Sequence, residues 1–339
     1  MSGLPGAPAL PPLVLPANQP ADRFYLGGAR IAAFRGTSTA AARTPEDWVA
    51  STTPLAGEDV LGLSVLPDGR TLRDAVRADP EAWLGSAHVD RYGPDPALLV
   101  KLLDAGERLP VHVHPDDEFA RRHLSCRNGK TESWIILDAE PGARVHVGFA
   151  EDVPPDRLAG WVRDQDRAAM LGALHGIEVA PGDSVYVPAG LPHAIGEGIL
   201  LLELQQAADL SLLLEYAGFA IDGARDGHLG IGFDAALACV RHSAVAPAEL
   251  EELRGTSADA HIFPPAADRF FRADRICGSS GAELEPGFAV VVVTAGAGEL
   301  SSAAGNLELR AGTTAVVPWS AGPVRLTGDL DALRCRPPA

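Results

Sequence analysis

Three histidines and one glutamate have the residue types and the spacing of a divalent metal site. His112 and His114 are separated by one residue, so a β-strand would direct both imidazoles to the same side of a sheet. Glu132 lies in a second predicted strand, and His193 follows a third that ends in a turn containing proline and glycine. Three imidazoles and a carboxylate form a suitable ligand set for Zn²⁺, Mn²⁺, Fe²⁺ or Ni²⁺. The sequence therefore predicts one metal ion held between strands.

The lysine content points to the same region. Of the 28 basic residues only two are lysines, Lys101 and Lys130. Lys130 alternates with Glu132 and Trp134, so an ammonium, a carboxylate and an aromatic ring would share one face of the strand. Lys101 lies inside an apolar run at residues 97–103, where its charge must reach either the surface or a wet cavity. We expect both ammonium groups in a cavity near the metal.

Glu203 is a further candidate for chemistry. It lies within a predicted buried strand at residues 199–204 that is otherwise apolar. Burying a carboxylate is costly unless the group is paired or functional. We therefore include Glu203 among the candidate site residues.

Composition and charge exclude several classes of function. The chain has 339 residues and a net charge of −17 without a basic patch, which argues against nucleic-acid binding. Its longest apolar runs are far shorter than the ~20 residues of a membrane span. The N-terminus lacks a basic region, and prolines interrupt its apolar stretch, unlike in a signal peptide. Four scattered cysteines are typical of reduced thiols. We therefore expect a cytoplasmic protein without nucleic-acid or membrane partners, and the sequence leaves its oligomeric state open.

Three segments resemble the class I mannose-6-phosphate isomerase family of the cupin superfamily. They are HVHPDDEFA at residues 112–120, GKTESWIIL at 129–137 and PAGLPHAIGEGILLLELQQ at 188–206. A weaker resemblance extends from Arg23 to the C-terminus. It implies a mainly β fold of two cupin domains, which are jelly-roll-like β-barrels, with helical insertions.

The expected domain division follows the same resemblance. Gly312 and Pro318 repeat the spacing of Gly182 and Pro188, which indicates a second copy of the fold, but no histidine follows Pro318. The predicted parts are an N-terminal arm rich in proline and alanine at residues 1–20, a catalytic metal-binding cupin domain at 21–244 with a helical excursion around 152–174, and a degenerate cupin domain without metal ligands at 245–339.

The resemblance also implies an activity and a role for each site residue. The activity is a metal-dependent aldose–ketose isomerisation that interconverts mannose 6-phosphate and fructose 6-phosphate through an enediol. One Zn²⁺ per chain would be bound, although other divalent metals fit the same ligands. The expected metal ligands are His112, His114, Glu132 and His193, the expected catalytic residues are Lys130 and Glu203, and the expected substrate-binding residues are Lys101, Trp134 and Arg225.

One alternative ligand comes from the generic cupin motif. That motif selects Glu118, four residues after His114, as the carboxylate ligand. Glu118 follows a proline and two aspartates, which are typical of the start of a helix, where an acid is stabilised by the helix dipole. We therefore prefer Glu132.

The chain departs from the family pattern at three places. His112 stands where the family usually has glutamine, and Pro110 stands where it has serine. The family's arginine about twenty residues after the last histidine aligns with Leu213 or Tyr216, and the nearest downstream arginine is Arg225. These departures leave three alternatives: the same chemistry on another sugar, free or differently phosphorylated, a cupin Fe(II) oxygenase, and a non-catalytic sugar-binding cupin.

Two local predictions concern the region before the site. Residues 23–34 read as a strand interrupted by two glycines. Residues 71–84 have the apolar spacing of a helix, with Thr71 as its N-cap.

Overall fold

The computed structural model describes residues 9–38, 41–256 and 262–339, so the first eight residues of the expected arm lie outside it. The fold is mainly β, as predicted, and the hydrogen-bonded strand pairs are antiparallel. The strands are β1 (Leu13–Val14), β2 (Glu46–Val49), β3 (Leu99–Ala105), β4 (His112–Val113), β5 (Glu132–Ala139), β6 (Arg144–Phe149), β7 (Leu174–Glu178), β8 (Ser184–Val187), β9 (His193–Ile195), β10 (Ile199–Gln205), β11 (Leu212–Leu213), β12 (Arg254–Gly255), β13 (Arg272–Cys277), β14 (Ala282–Leu284), β15 (Ala289–Ser302), β16 (Gly305–Arg310), β17 (Thr314–Val317) and β18 (Val324–Arg336).

The helices connect and cover these strands. In the described ranges they are α1 (Arg30–Arg35), α2 (Leu72–Ala78), α3 (Pro80–Leu84), α4 (Ser86–Tyr92), α5 (Asp117–His123), α6 (Pro155–Asp164), α7 (Arg167–Gly172), α8 (Gly223–Asp226), α9 (Phe233–Ala236) and α10 (Pro247–Glu252). Within the part of the chain that the structure describes, none of them is long and apolar enough to cross a membrane.

Two sheets form the part of the molecule that we call the site unit. The six-stranded sheet has the order β12-β8-β5-β10-β3-β2, and the five-stranded sheet has the order β11-β4-β9-β6-β7. Both sheets combine strands that are distant in sequence. Side chains from β4, β5 and β9 can therefore meet between them.

The third sheet, which we call the C-terminal sheet, has seven strands. Its main order is β1-β17-β15-β18-β13, with β14 paired to β18 and β16 paired to β15. Leu13 and Val14, from the expected N-terminal arm, pair with Val316 and Ala315 of β17. A single buried cluster contains Val100 and Leu202 of the site unit together with Val290 and Leu333 of the C-terminal sheet. The two parts thus share one hydrophobic core, and their boundary near residue 245 stays a prediction.

Helices α6 and α7 lie in the region of the predicted helical excursion and cover the outer face of the five-stranded sheet. Their buried residues Leu158, Val162 and Met170 belong to one cluster with Val111 and Val113. These valines alternate along the chain with the two histidines of the HxH pair. Strand alternation therefore sends the valines outward to the helices and the imidazoles inward to the other sheet.

The two local predictions have different outcomes. The predicted strand at residues 23–34 is wrong, because its second half forms α1. The carboxylate of Asp104 accepts the main-chain N–H groups of Arg30 (2.7 Å) and Ile31 (3.4 Å) at the start of that helix, a contact that local sequence does not reveal. The Thr71 N-cap is confirmed, with its hydroxyl accepting from the Asp74 N–H at 3.1 Å. The predicted single helix is two, because Pro80 starts α3 directly after α2 ends.

Candidate metal centre

Three imidazoles meet between the two sheets of the site unit. His112 of β4 lies directly opposite His193 of β9, and His114 follows at the end of β4. One ligand atom from each of the three lies within 4.8 Å of the others. All three residues are buried, and His193 is fully enclosed. The predicted alternation of His112 and His114 on a strand thus places both on the inner face.

The outer nitrogen of each ring is held by a main-chain carbonyl. Nδ1 lies 2.8 Å from the Pro110 oxygen in His112, 2.7 Å from the Leu210 oxygen in His114, and 2.8 Å from the Leu191 oxygen in His193. A carbonyl only accepts, so each Nδ1 carries the proton and each Nε2 presents a lone pair to the shared space. This is the tautomer that a metal-binding histidine requires.

Glu132 completes the group from the opposite sheet. Its Oε2 lies 3.1 Å from Nε2 of His114, and its Oε1 lies 3.3 Å from Nε2 of His193. Nε2 of His193 is buried and has no hydrogen-bond partner among the described residues. The lone pair of His193 Nε2 therefore faces the Glu132 carboxylate without a donor between them, an arrangement that is unfavourable unless a cation lies there. The four side chains therefore fit a divalent ion.

The protonation states also suit a metal. Burial and the neighbouring imidazoles hold the pKa of His112 well below its ordinary value. Burial and the Lys130 ammonium lower the pKa of His114 to about 3. Burial opposes ionisation of Glu132, but Lys130 and His114 outweigh it and hold its pKa well below the usual range. Neutral imidazoles and an ionised carboxylate are the forms that bind metal ions.

Lys130 lies between the candidate metal ligands and Glu203, a group that could transfer a proton. Its Nζ lies 2.9 Å from Oε2 of Glu132, 3.0 Å from Nε2 of His114 and 3.7 Å from Oε1 of Glu203. Burial lowers its pKa, but the carboxylates of Glu132 and Glu203 raise it above the ordinary lysine value. Lys130 is therefore a charged hydrogen-bond donor next to the candidate metal ligands Glu132 and His114.

Glu203 and Lys101 form the next layer on the six-stranded sheet. Glu203 of β10 lies opposite Lys101 of β3 on one side and Trp134 of β5 on the other. Lys101 Nζ lies 3.7 Å from Oε1 of Glu203 and 3.9 Å from Oδ1 of Asp209. Burial and the Glu132 charge raise the pKa of Glu203, against the opposing effect of both lysines. A carboxylate whose pKa is raised in this way is a stronger base than an ordinary glutamate, which makes Glu203 a candidate for proton transfer.

A cavity of about 260 Å³ opens beside these groups. Its wall includes His112, Lys130, Glu203 and Lys101. A small molecule in the cavity would therefore touch one of the candidate metal ligands and the groups that could transfer a proton. The expectation that Lys101 faces a cavity rather than the surface agrees with this position.

Three of the predicted or alternative residues lie elsewhere. Trp134 is fully buried and does not line the cavity. It donates its Nε1–H to Oε1 of Glu132 at 3.1 Å, so it orients that carboxylate. The structure does not bring Arg225 to the cavity wall, because its guanidinium is exposed and pairs with Asp226 at 2.7 Å. Glu118 is also exposed and pairs with Arg122 one turn later on α5, away from the histidines.

Sequence reasoning missed part of the cavity wall. Arg23 and Tyr25 line it, together with Glu46 of β2. Glu46 carries the same signal that identified Glu203, a carboxylate within a buried strand. Arg23 has no such signal, because its place in the wall depends on how the chain returns to the sheet.

Four curated relatives match the chain in sequence, and two of them illustrate the range of the matches. It is 28% identical to the mannose-6-phosphate isomerase of Streptococcus mutans serotype c over 313 residues, which are 91% of this chain and 93% of that protein. It is 39% identical to the mannose-6-phosphate isomerase ManA of Bacillus subtilis over 130 residues, which are 38% of this chain and 39% of that protein. The second match thus spans about two fifths of the relative's length. No protein-family model matches the chain.

Solved structures extend the likeness to the whole fold. The crystal structure of the mannose 6-phosphate isomerase from Bacillus subtilis superposes with a TM-score of 0.76 at 23% identity, covering 96% of this chain and 100% of that one. A structure described as mannose 6-phosphate isomerase bound with zinc and yttrium gives a TM-score of 0.75 at 18% identity, covering 97% of this chain and 100% of that one.

Antiparallel sheets that enclose three histidines and a glutamate form a cupin-type fold with a candidate metal site. The sequence relatives and the superposed structures are all named mannose-6-phosphate isomerase. The chain is thus similar to mannose-6-phosphate isomerases in sequence, and it shares the fold of their solved structures.

Proposed function

We propose that this protein is a metal-dependent aldose–ketose isomerase that interconverts mannose 6-phosphate and fructose 6-phosphate. The observation that carries the proposal is the position of Glu203, a buried carboxylate with a raised pKa between the ammonium groups of Lys101 and Lys130. An aldose–ketose isomerase needs a proton carrier of this kind beside the reacting carbons. The names of the sequence relatives support the same activity.

Zn²⁺ is the proposed metal, with His112, His114, Glu132 and His193 as its ligands. The zinc in a structural relative supports this choice. Bound there, Zn²⁺ would supply a Lewis acid that stabilises negative charge on the sugar oxygens. Trp134 would keep Glu132 in position through its indole N–H.

The reaction moves one proton from C2 to C1 and a second from the C2 hydroxyl to the C1 oxygen. Glu203 would remove the proton from C2 of the aldose and return it to C1 of the enediol. Its raised pKa favours removal of the proton, because the carboxylate is a stronger base than an ordinary glutamate. Lys130 would donate a hydrogen bond to the sugar oxygen that gains negative charge, and it lies only 3.7 Å from Glu203.

A second candidate function is the same isomerisation of a free sugar. Pro110 and Leu213 both line the cavity, where the family pattern has serine and arginine. These side chains cannot donate hydrogen bonds to a phosphate. An iron oxygenase and a non-catalytic sugar-binding protein have no comparable observation in their favour.

The test is steady-state isomerisation of mannose 6-phosphate and of free mannose by metal-replete protein of known metal content. The proposal expects a kcat/KM at least ~10²-fold higher for the phosphosugar, which is ~2.7 kcal/mol of transition-state preference. Preference for mannose would favour the second candidate. Absence of turnover with either sugar, at full metal occupancy, would contradict the isomerase assignment for these substrates.

The remaining expectations belong to the same proposal. The substrate is a small sugar or sugar phosphate, and the protein acts in the cytoplasm. The C-terminal sheet would then serve as a structural partner of the site unit.

A further inference from the structure

Arg23 lies in a segment that several parts of the chain hold in place. The Arg23 N–H donates to the Arg43 carbonyl at 3.0 Å, and the Phe24 carbonyl accepts from the Ala220 N–H at 3.0 Å. The Leu26 N–H donates to a carboxylate oxygen of Glu107 at 2.7 Å. The segment therefore presents Arg23 to the cavity from a fixed backbone.

The guanidinium of Arg23 has donors to spare. Its side chain is only 13% exposed, and among the described residues its carboxylate partner within 4 Å is Glu46, with Nη2 and Oε1 3.5 Å apart. Its Nε is buried and has no hydrogen-bond partner in the described part of the chain. Buried donors are almost always satisfied in native proteins, and an unsatisfied one costs about 1–3 kcal/mol. The exposed remainder of the side chain lies in the cavity wall, where an acceptor could meet the guanidinium.

Glu46 fixes the direction of that guanidinium. Its carboxylate accepts from the Tyr25 hydroxyl and from the Trp48 indole N–H, the latter at 2.6 Å. Burial would raise the pKa of Glu46, but Arg23 and Lys101 hold it below its ordinary value. Glu46 is therefore a charged positioning residue that leaves the other side of Arg23 open.

A series of ion pairs separates Arg23 from the metal group. Arg23 contacts Glu46, which lies 3.8 Å from Lys101, and Lys101 lies 3.7 Å from Glu203. Glu203 in turn lies 3.7 Å from Lys130, which contacts the metal ligands. Arg23 is thus the cation of this series farthest from the metal along its contacts.

The proposed substrate has its reacting carbons at one end and its negative charge at the other, in the same order as Glu203 and Arg23 in this series. Its reacting carbons, C1 and C2, lie at one end of a six-carbon chain, and its phosphate is attached to C6 at the other. With C1 and C2 beside Glu203 and Lys130, the phosphate would extend along this series toward Arg23. A planar guanidinium can donate two parallel hydrogen bonds to a phosphate, so it is well suited to that position.

We propose that Arg23 binds the phosphate of the sugar and determines the preference for a phosphorylated substrate. This inference rests on the proposed isomerase function and adds a specificity residue to it. Arg23 fulfils in this chain the phosphate recognition that Leu213 and Pro110 cannot provide.

The experiment compares Arg23→Gln with Arg23→Lys and with Arg163→Gln. Arg163 is exposed and pairs with the adjacent Asp164, so its replacement removes the same charge far from the cavity wall. We expect Arg23→Gln to lower kcat/KM for mannose 6-phosphate by about 10- to 100-fold, the usual range for a lost hydrogen bond to a charged group. The loss should fall mainly on KM, since the phosphate does not react. Activity with free mannose should remain within about 2-fold, and Arg23→Lys should recover part of the loss.

Binding of mannose 6-phosphate and of mannose, measured by calorimetry on the same metal-replete proteins, separates failure of this inference from failure of the proposed function. Weaker binding of only the phosphosugar to Arg23→Gln supports the phosphate site even if no turnover is found. An equal loss of both sugars would assign Arg23 a structural role and overturn the inference. A loss of phosphosugar preference in Arg225→Gln instead, or wild-type protein that does not distinguish the two sugars, would also overturn it.

Discussion

The site unit and the C-terminal sheet bury different kinds of side chain. The inner wall of the site unit holds Lys101, Lys130, Glu132 and Glu203 together with the histidines, all at or below 7% exposure. In the described residues 262–339, the buried polar side chains are Thr314 and Arg334. Both parts nevertheless use antiparallel strands and contain a Gly-x5-Pro segment.

The difference shows which features of the sequence carry function. β8 and β17 are both buried four-residue strands that end before a proline. After β8 the chain continues to His193, whereas after β17 it enters a short 3-10 helix at Trp319–Ala321. Sheet architecture alone therefore does not produce a site. The candidate site also depends on the buried charged groups of the site unit. These groups are stable in the interior only because each has a partner of opposite charge within about 4 Å.

Removal of a metal ligand should have the largest effect and would make the site unit resemble the C-terminal sheet. We expect His193→Ala to lose its metal and to lower kcat by more than ~10³-fold, because Lewis-acid stabilisation of the developing charge is lost. Metal content by mass spectrometry and isomerisation rates test this. His123→Ala is the matched control, since His123 is exposed on α5 and should retain metal and activity. Full metal occupancy in His193→Ala would contradict the ligand assignment.

The reverse change places an unpaired charge in the C-terminal sheet. Val292 is fully buried on β15 between Thr314 and Leu333, without a carboxylate partner such as those around Lys101. Val292→Lys should lower the free energy of unfolding by about 3–5 kcal/mol or prevent folding, because the ammonium would be desolvated without compensation. Denaturant unfolding measures the effect.

The matched variant is Val292→Ala, which removes the same apolar contacts without adding charge and should cost about 2 kcal/mol. Equal effects of the two substitutions would show that the C-terminal sheet tolerates buried charge as well as the site unit does. The proposed contrast between the two parts would then be lost.

The sequence revealed the features that depend on local pattern. The alternation of His112 with valines predicted a strand and its inward face, and the apolar run around Lys101 predicted a charge that must find a cavity. Glu46 has the same signal, a charged side chain within a buried strand. Arg23 and the Asp104 cap of α1 could not be found this way, since their partners are distant in sequence. Such contacts exist only once strands from the whole chain are assembled.

The smallest expected effect concerns the seam where the site unit meets the C-terminal part. Tyr186 of β8 is 5% exposed, and burial raises the pKa of its hydroxyl to about 12. An unfolded tyrosine ionises near pH 10, so between about pH 10 and 12 the unfolded state releases a proton that the folded state keeps. The contribution of Tyr186 to stability is therefore complete below pH 10 and is lost as pH rises toward 12. Two pK units correspond to about 2.7 kcal/mol.

Tyr186→Phe should remove this part of the pH dependence at little other cost, because the hydroxyl makes only a long hydrogen bond of 3.5 Å to the Ala266 carbonyl. Unfolding free energies measured from pH 9 to 11.5 should fall less steeply for the variant than for wild type. Parallel curves would mean that Tyr186 ionises freely in the folded protein. The seam would then be open to water, and the shared apolar core that joins the two parts would be less continuous than their packing indicates.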